Sequence, residues 1–548
     1  MDKRSLLAIV LSFLILIVYQ ELIAYLYPPS KKPVPTQPAE PSAPVPSHAP
    51  PPSLAEGTGK QAEEPTPPVA APAPAAAGRD ITVENEVYTA VFSSLGGQLK
   101  SLRLKRYPGD AGRDSPPREM VQEGALGELP LAVRLEGKNL SVGDDTVLYE
   151  VSGGDIHLQG NDHATLQFKG TDRDGTLLTK EFSFSGQTYG MTLTVEVEGA
   201  PESVSSVSLL WVHPLDHHKT SSYQVQGPVA LVGRKFMYEA ASRVVGKEQL
   251  LGPDRIRWAG YADTYFLAAM IPPEGENHHL LLSAANGVVE TKLTVPWNRE
   301  PVTYTLYIGP KEFDALNAVH PSLDRAIDFG WFHFIARPLV SLLNFSHSLT
   351  GNYGIDIILL TLLVKLAFFP LSNKSFKSMT EMRKLQPQLE RLREQYQDDR
   401  ERLNKEMMEL YRRYKINPLG GCLPMLVQLP VFVGLYQALS HAIELRQAPF
   451  FGWIQDLSQP DRLGILELPF VEPPGIPVLT LLMGGTMLVQ QAMTPATGDP
   501  TQQKMMMFMP LVFTVMFVNF PAGLVLYWLV NNVLSIVQQY LYTKRFAG

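Results

Sequence analysis

Apolar residues in this chain come in blocks. After residue 352 they run in five stretches, near 353–371, 419–442, 476–493, 505–520 and 523–542, and a sixth lies within residues 1–27. This placement constrains the fold more than any average does, because an overall hydrophobic content of 45% is ordinary for a soluble protein. A helix rising ~1.5 Å per residue crosses a hydrocarbon layer of roughly 30 Å in about 20 residues. Within lipid only helices or closed barrels satisfy their own backbone. The expected fold is therefore an α-helical polytopic membrane core of five helices over 351–548, preceded by an N-terminal anchor helix.

The anchor, residues 1–27, opens with Asp2-Lys3-Arg4. A cleaved signal peptide would have a short apolar region and a small-x-small cleavage site. Here the apolar character resumes through Leu22-Ile23-Ala24-Tyr25-Leu26, which favours an uncleaved span with Lys3 and Arg4 on the cytoplasmic side. Residues 28–78 are rich in proline and alanine and poor in large apolar residues. Such a segment cannot bury enough surface to fold and reads as a disordered, semi-rigid spacer.

From 79 to 318 the period changes. Thr179-Lys180-Glu181-Phe182-Ser183-Phe184 and Met191-Thr192-Leu193-Thr194-Val195-Glu196-Val197 alternate apolar and polar residues on either side of a glycine-bounded turn. Similar stretches recur at 165–168, 289–295 and 302–308, the pattern of a large all-β sandwich domain. Residues 319–350 differ again. Phe329, Trp331, Phe332, Phe334, Ile335, Leu339, Leu342, Leu343 and Phe345 are mixed there with charged and polar residues. This resembles an amphipathic helix lying in the membrane interface, with aromatics at headgroup depth; the alternative is a core helix of the β domain.

Between the first two core spans, residues 373–416 carry an excess of Lys and Arg. Leu385, Leu389 and Leu392, then Leu403, Met407 and Leu410, recur at helical spacing around a break at Gln397-Asp398-Asp399. This is a helical hairpin, and its basic excess assigns it to the cytoplasm. Both termini and the 495–504 loop follow it inside, while the β domain and the 444–474 loop lie outside. The net charge of −7 gives no reason to expect a specific nucleic-acid partner. The single cysteine, Cys422, excludes an intramolecular disulfide and reads as a small packed residue.

Lys365 is the sharpest feature. It stands in Leu359-Leu360-Thr361-Leu362-Leu363-Val364-Lys365-Leu366-Ala367-Phe368-Phe369, where a charge costs ~2.5–3.5 kcal/mol on insertion scales. Either it faces a wet groove, with Thr361 one turn earlier on the same face, or it snorkels ~10 Å to the interface near Ser372. The other spans favour a groove. Trp528, Asn531, Asn532, Ser535 and Gln539 form a polar stripe on the last span, and Gln428 and Gln491 add amides from two more. The many methionines, including Met407, Met408, Met483 and Met487, suit varied apolar partners but equally fill cores. In the β domain, His213, Asp216, His217 and His218 lack further ligands at a telling spacing and read as loop residues. No nucleophile elbow, P-loop or dinucleotide fingerprint occurs, so no enzyme, metal or other cofactor is expected.

Three motifs carry a family resemblance. They are Asn417-Pro418-Leu419-Gly420-Gly421-Cys422-Leu423-Pro424 with Gln428-Leu429-Pro430-Val431-Phe432, then Glu444-Leu445-Arg446-Gln447-Ala448-Pro449-Phe450, then Phe520-Pro521-Ala522-Gly523-Leu524-Val525-Leu526-Tyr527-Trp528. With the anchor and the large β domain, the whole chain resembles the Gram-negative form of the YidC/Oxa/Alb membrane insertase family. The resemblance implies a bacterial inner-membrane protein that inserts nascent membrane proteins, alone or beside the Sec translocon (SecYEG with accessory SecDF). It implies a hydrophilic groove open to cytoplasm and lipid and closed to the periplasm. The periplasmic domain is implied to be a β-supersandwich similar to sugar-mutarotase folds. Substrate or ribosome contacts are implied on the hairpin, at Arg383, Lys384, Asp398, Asp399, Met407 and Met408. Thr361, Tyr527 and Trp528 fall where the family contacts substrate, and Gln491 matches a groove glutamine. Lys365 stands where the family typically has arginine; it keeps the charge but not the bidentate fork. Two rivals remain. A secondary transporter would also place a cation at mid-membrane, but no duplicated halves are visible. A membrane-anchored periplasmic carbohydrate-binding protein leaves the polar stripe unexplained.

Overall fold

The computed structural model describes residues 78–546 except 110–114, 125–126, 139, 216–225, 286, 398, 415–422, 465–473 and 494–499. The anchor, nearly all of the spacer, Asp216, His217, His218, Asp398 and Cys422 thus lie outside the described residues.

The period-two stretches form strands, and each is longer than its most regular core. Thr179–Phe184 lies within Leu177–Ser185, whose neighbours are His163–Thr171 and Gly190–Glu198. The alternation sends Leu178, Lys180, Phe182 and Phe184 to one face and Glu181 and Ser183 to the other. These strands belong to a nine-stranded antiparallel sheet running from Lys235–Tyr238 at one edge to Glu150–Ser152 at the other. A six-stranded antiparallel sheet contains Val204–Pro214, Val288–Pro296 and His278–Ala285. A five-stranded sheet contains Gln98–Pro108, Tyr88–Ser93 and Asp80–Glu84, and its last pairing, to Ile156–His157, is parallel. The sheets share one apolar core, in which Phe92 of the small sheet meets Phe182 of the large one at 4.7 Å between ring centroids.

A buried ion pair sits in that core. Lys180 and Asp144 are both fully buried and ion-paired. The ammonium also donates to the carbonyls of Gly96 at 2.8 Å and Leu131 at 2.9 Å. Asp144 accepts from the Val133 amide at 2.8 Å and the Tyr149 hydroxyl at 3.0 Å. Gly96 and Gly97 take φ of +73° and +53°, a turn that favours glycine and aims a carbonyl at the lysine. Every polar group of the pair is satisfied, which is the condition for tolerating buried charge.

The helices follow in chain order. A short helix α1 (Phe313–Val319) and two 3-10 turns (Pro321–Ala326 and Gly330–Phe332) lead to α2 (His333–Thr350), so regular helix occupies only the second half of the 319–350 segment. One face of α2 sends Ala336 and Val340 into the core shared with the sheets, and Leu343 into the helical core. Trp331 before the helix and Phe334, Phe345 and Leu349 on it stay exposed. The apolar side chains of the segment are thus divided between a packed face and an exposed one. α3 (Tyr353–Ala367) begins at Asn352, whose side chain accepts from the amides of Gly354 and Ile355.

α3 is shorter than the 353–371 expected. Phe369-Pro370 opens the next helix, α4 (Phe369–Gln395), at 64° to it. Proline has no amide to continue the α3 hydrogen-bond ladder but fits the first turn of a new helix. α5 (Arg400–Arg413) returns against α4, with Leu385 and Leu389 packed on Met407, Leu410 and Tyr411, as the leucine spacing predicts. α6 (Leu423–His441), α7 (Val478–Met493), α8 (Pro500–Phe517) and α9 (Ala522–Phe546) complete the core. Among the described residues, one helix, within Ala522–Lys544, is by itself long and apolar enough to cross a membrane. α3 and α4 pass the same test only as a bent pair, and α7 and the Met506–Phe517 part of α8 are apolar but shorter. The bundle surface is nevertheless rich in apolar side chains, among them Leu359, Leu363, Leu366, Leu482, Leu488, Val512 and Val515.

Candidate functional site

α9 organises the polar interior. A helix places residues three and four apart on one face, and the α9 stripe divides into two such rows. Asn531, Ser535 and Gln538 face α3 and the base of α4. Asn532 and Gln539, each one residue on, face α7, where Asn532 reaches the Thr486 hydroxyl at 3.4 Å and Gln539 donates to the Met493 carbonyl at 2.9 Å.

The first row meets Lys365. Its ammonium donates to Asn531 Oδ1 at 3.0 Å and Ser535 Oγ at 2.7 Å. Gln428 of α6 donates to the same Asn531 oxygen at 2.8 Å, and the Ser535 hydroxyl donates to the Asn531 backbone carbonyl at 2.7 Å. Three helices thus converge on one amide oxygen. Lys365 lies on the α3 face of Ile357 and Thr361, while Leu359, Leu362, Leu363 and Leu366 point outward. Among the described residues no carboxylate pairs with it. Lys365, Gln428 and Asn531 are half-buried, so the cluster borders the surface.

The two ends of the cluster differ. Toward Pro521 stands an aromatic layer: Trp528 packs against Phe432 at 4.5 Å and Phe517 at 5.2 Å, and Tyr436 against Phe520 at 5.9 Å. Tyr527 is buried one turn before Asn531. Beyond that layer the 443–463 segment folds back, the Gly523 amide donating to the Leu457 carbonyl and the Ala522 amide to the Gln459 carbonyl. In the other direction polarity continues, with Gln538 donating to Asn373 of α4 at 3.0 Å.

Not every residue singled out from the sequence joins this cluster. Thr361 is buried and its hydroxyl donates to the Ile357 carbonyl at 2.6 Å. Gln491 is half-buried near the end of α7, and no hydrogen bond among the described residues ties it to Lys365. On the hairpin, Asp399 caps α5 by accepting from the Arg402 amide at 3.0 Å. Met407 packs inside the hairpin, and Met408, Arg383 and Lys384 are exposed. His213 stacks on Tyr261 at 4.1 Å in the β domain, far from these helices in sequence.

Sequence reasoning missed a second polar knot. Asp356, in the first turn of α3, is fully buried and accepts from the Thr350 hydroxyl at 2.7 Å, with His347 Nδ1 at 3.0 Å. The signal was an acid at the opening of an apolar run; its partners lie in the preceding helix. The β domain is also joined to the core. Arg446 donates to the Gly109 carbonyl at 2.7 Å and its guanidinium lies 5.3 Å from the centroid of the Phe266 ring. Burial lowers the pKa of that guanidinium below its ordinary value, with the nearby charge of Arg118 adding to the effect.

Comparison with known proteins now bears on this arrangement. A family model described as "60Kd inner membrane protein" matches residues 345–548, and one described as "YidC periplasmic domain" matches residues 80–342. The membrane protein insertase YidC of Pelobacter propionicus is 40% identical over 557 residues, covering 99% of each chain. That of Geotalea daltonii is 38% identical over 550 residues, covering 98% of each. A solved active YidC insertase with its first transmembrane domain is 18% identical at a TM-score of 0.37, covering 85% of this chain and 95% of its own. The chain belongs to the YidC family of inner-membrane protein insertases. The β domain is its periplasmic domain.

Proposed function

We propose that this chain inserts nascent membrane proteins through the seam between α3, α6 and α9, with Lys365 as its positive element. The observation that carries the reading is the company Lys365 keeps: its partners are neutral oxygens on α9. A lysine bonded to an acid would present no net charge, whereas this one leaves its positive charge uncancelled in an apolar layer. A substrate's short polar tail, acidic residues foremost, rests there transiently, and the polar path across the bilayer is shortened. The aromatic layer around Trp528 and Phe517 closes the seam on the side of the β domain. The apolar segment of the substrate then leaves sideways into lipid, driven by burial of its own surface. The bend between α3 and α4 puts the basic hairpin at the open end, where Arg383, Lys384 and Met408 are available to a nascent chain or ribosome. In this reading both termini and the hairpin are cytoplasmic, and the core works alone or beside the Sec translocon and SecDF. No nucleotide or metal takes part.

The test uses the full chain in sealed vesicles and a short single-span substrate with an acidic tail, without nucleotide. Lys365→Glu is expected to lower insertion about tenfold, equivalent to ~1.4 kcal/mol, and Lys365→Arg to retain it. Photoprobes at Lys365, Gln428 and Trp528 are expected to label the stalled substrate, and probes at Leu362 and Leu366 to label lipid. Equal substrate labelling at both sets, with insertion unchanged in Lys365→Glu, would sink the proposal.

A further inference from the structure

Below the Lys365 cluster, between one face of α4 and the end of α9, lies a cavity of about 220 Å³. Its floor is apolar, made by Phe376 and Met379 of α4 and Met493 of α7, and its rim carries Arg383, Lys384 and Thr543. On α4 these residues recur at three, four and seven positions, one helical face. Neither Arg383 nor Lys384 has an ion-pair partner among the described residues; the nearest ion pair on the helix is Lys377 with Glu381. The neutral rim groups are already committed as donors. The Thr543 hydroxyl donates to the Gln539 carbonyl and the Gln539 amide to the Met493 carbonyl. The charged donors at this cavity are the two cations.

The depth is also defined. Thr543 is eight residues beyond Ser535, or ~12 Å along the axis, and it stands at the end of the apolar window Ala522–Lys544. On the membrane placement proposed above, that is the level of the lipid headgroups. We infer that this cavity binds the headgroup of an anionic phospholipid, the Arg383 and Lys384 side chains holding the phosphodiester and an acyl chain lying along Phe376 and Met493. Basic pockets between helices at this depth suit such headgroups. An apolar floor suits a lipid and gives nothing to a free anion. Two cations, with no carboxylate among the described lining residues, also select against headgroups that carry their own ammonium, so phosphatidylglycerol is preferred to phosphatidylcholine.

The probe is a photoreactive phosphatidylglycerol, present as a minor component of phosphatidylcholine vesicles holding the full-length protein; the control is the matching phosphatidylcholine probe. Adducts are expected within 376–384 and 539–543, and Arg383→Gln with Lys384→Gln is expected to reduce them about tenfold or more. Arg391→Gln with Arg412→Gln, which removes the same charge elsewhere on the hairpin, is expected to leave them in place. Met379→Trp, which fills the cavity and keeps both cations, is expected to reduce them as well. Equal labelling by the two probes, or no loss in the double variant, overturns the inference. Displacement by inorganic phosphate would assign the site to a free anion, and displacement by an acidic peptide to a polypeptide; either also overturns it. Insertion is not the readout, so a failed insertion assay with intact labelling would count against the proposed function alone.

Discussion

The β domain and the helical core each hold a lysine away from bulk water, and they treat it in opposite ways. Lys180 is sealed among three sheets, paired with Asp144 and bonded to backbone carbonyls. Lys365 is half-buried and bonded to the neutral oxygens of Asn531 and Ser535. The surroundings are opposite too. The β domain buries its aromatics and leaves few large apolar residues outside, Leu148 and Leu250 among them, whereas the helical core turns rows of leucine and valine outward. At Lys180 the Asp144 carboxylate and two backbone carbonyls offset the hydration lost on burial. Lys365 has no carboxylate partner among the described residues, so on the function proposed above its charge stays open to an arriving substrate.

The comparison breaks most visibly at Lys180. Lys180→Met strands a buried Asp144 and should cost roughly 3–5 kcal/mol, read as the thermal unfolding of the full chain by tryptophan fluorescence, since Trp211 and Trp258 are both in the β core. Adding Asp144→Asn should recover part of that loss. The same change at Lys365 should cost only about 0.6 kcal/mol, the usual worth of a polar contact between membrane helices. Equal costs at the two lysines would show that they are the same kind of structural charge.

A third lysine sharpens the contrast through pH. Lys311 is buried, donates to the Asp263 carbonyl at 2.7 Å, and burial pushes its pKa down to about 8. The unfolded chain holds that proton up to about pH 10.4. The folded state therefore releases it first, and stability should rise with pH above about 8 by at most ~1.4 kcal/mol per unit, levelling off near 10.4. The melting temperature of Lys311→Met, followed over the same range, should lack that rise. A parent curve no steeper than the variant's would mean that the ammonium is better solvated than its burial implies.

The smallest effect is expected on the α7 side of α9. Asn532→Ala removes the long contact to Thr486 and should cost no more than ~0.6 kcal/mol. A larger loss of stability than from Lys365→Met would move the organising contact of the bundle from the α3 face to the α7 face.

Much of this molecule was legible before any coordinates, because some properties belong to short stretches of chain. Period-two alternation marked strands such as 177–185 and 190–198, and leucine spacing marked the two arms of the hairpin. Lys180 was not singled out from that pattern, although it shares the alternation face of Phe182 and Phe184 and is buried with them. The polar stripe on α9 and the cation in α3 could each be read from their own helix. What no local pattern carried was partnership. That Lys180 meets Asp144, that Asn531 takes protons from both Lys365 and Gln428, that the stripe divides between two neighbours, and that Asp356 is closed over by His347 and Thr350 all depend on which elements pack together. Sheet-forming and helix-forming segments, and residues whose polarity is out of place, can be read along the chain, because backbone periodicity and desolvation act on near neighbours. Which of those charges meets a carboxylate and which meets neutral oxygens follows from packing, because an ion pair or a shared amide oxygen is a contact across the fold, with no signature in spacing.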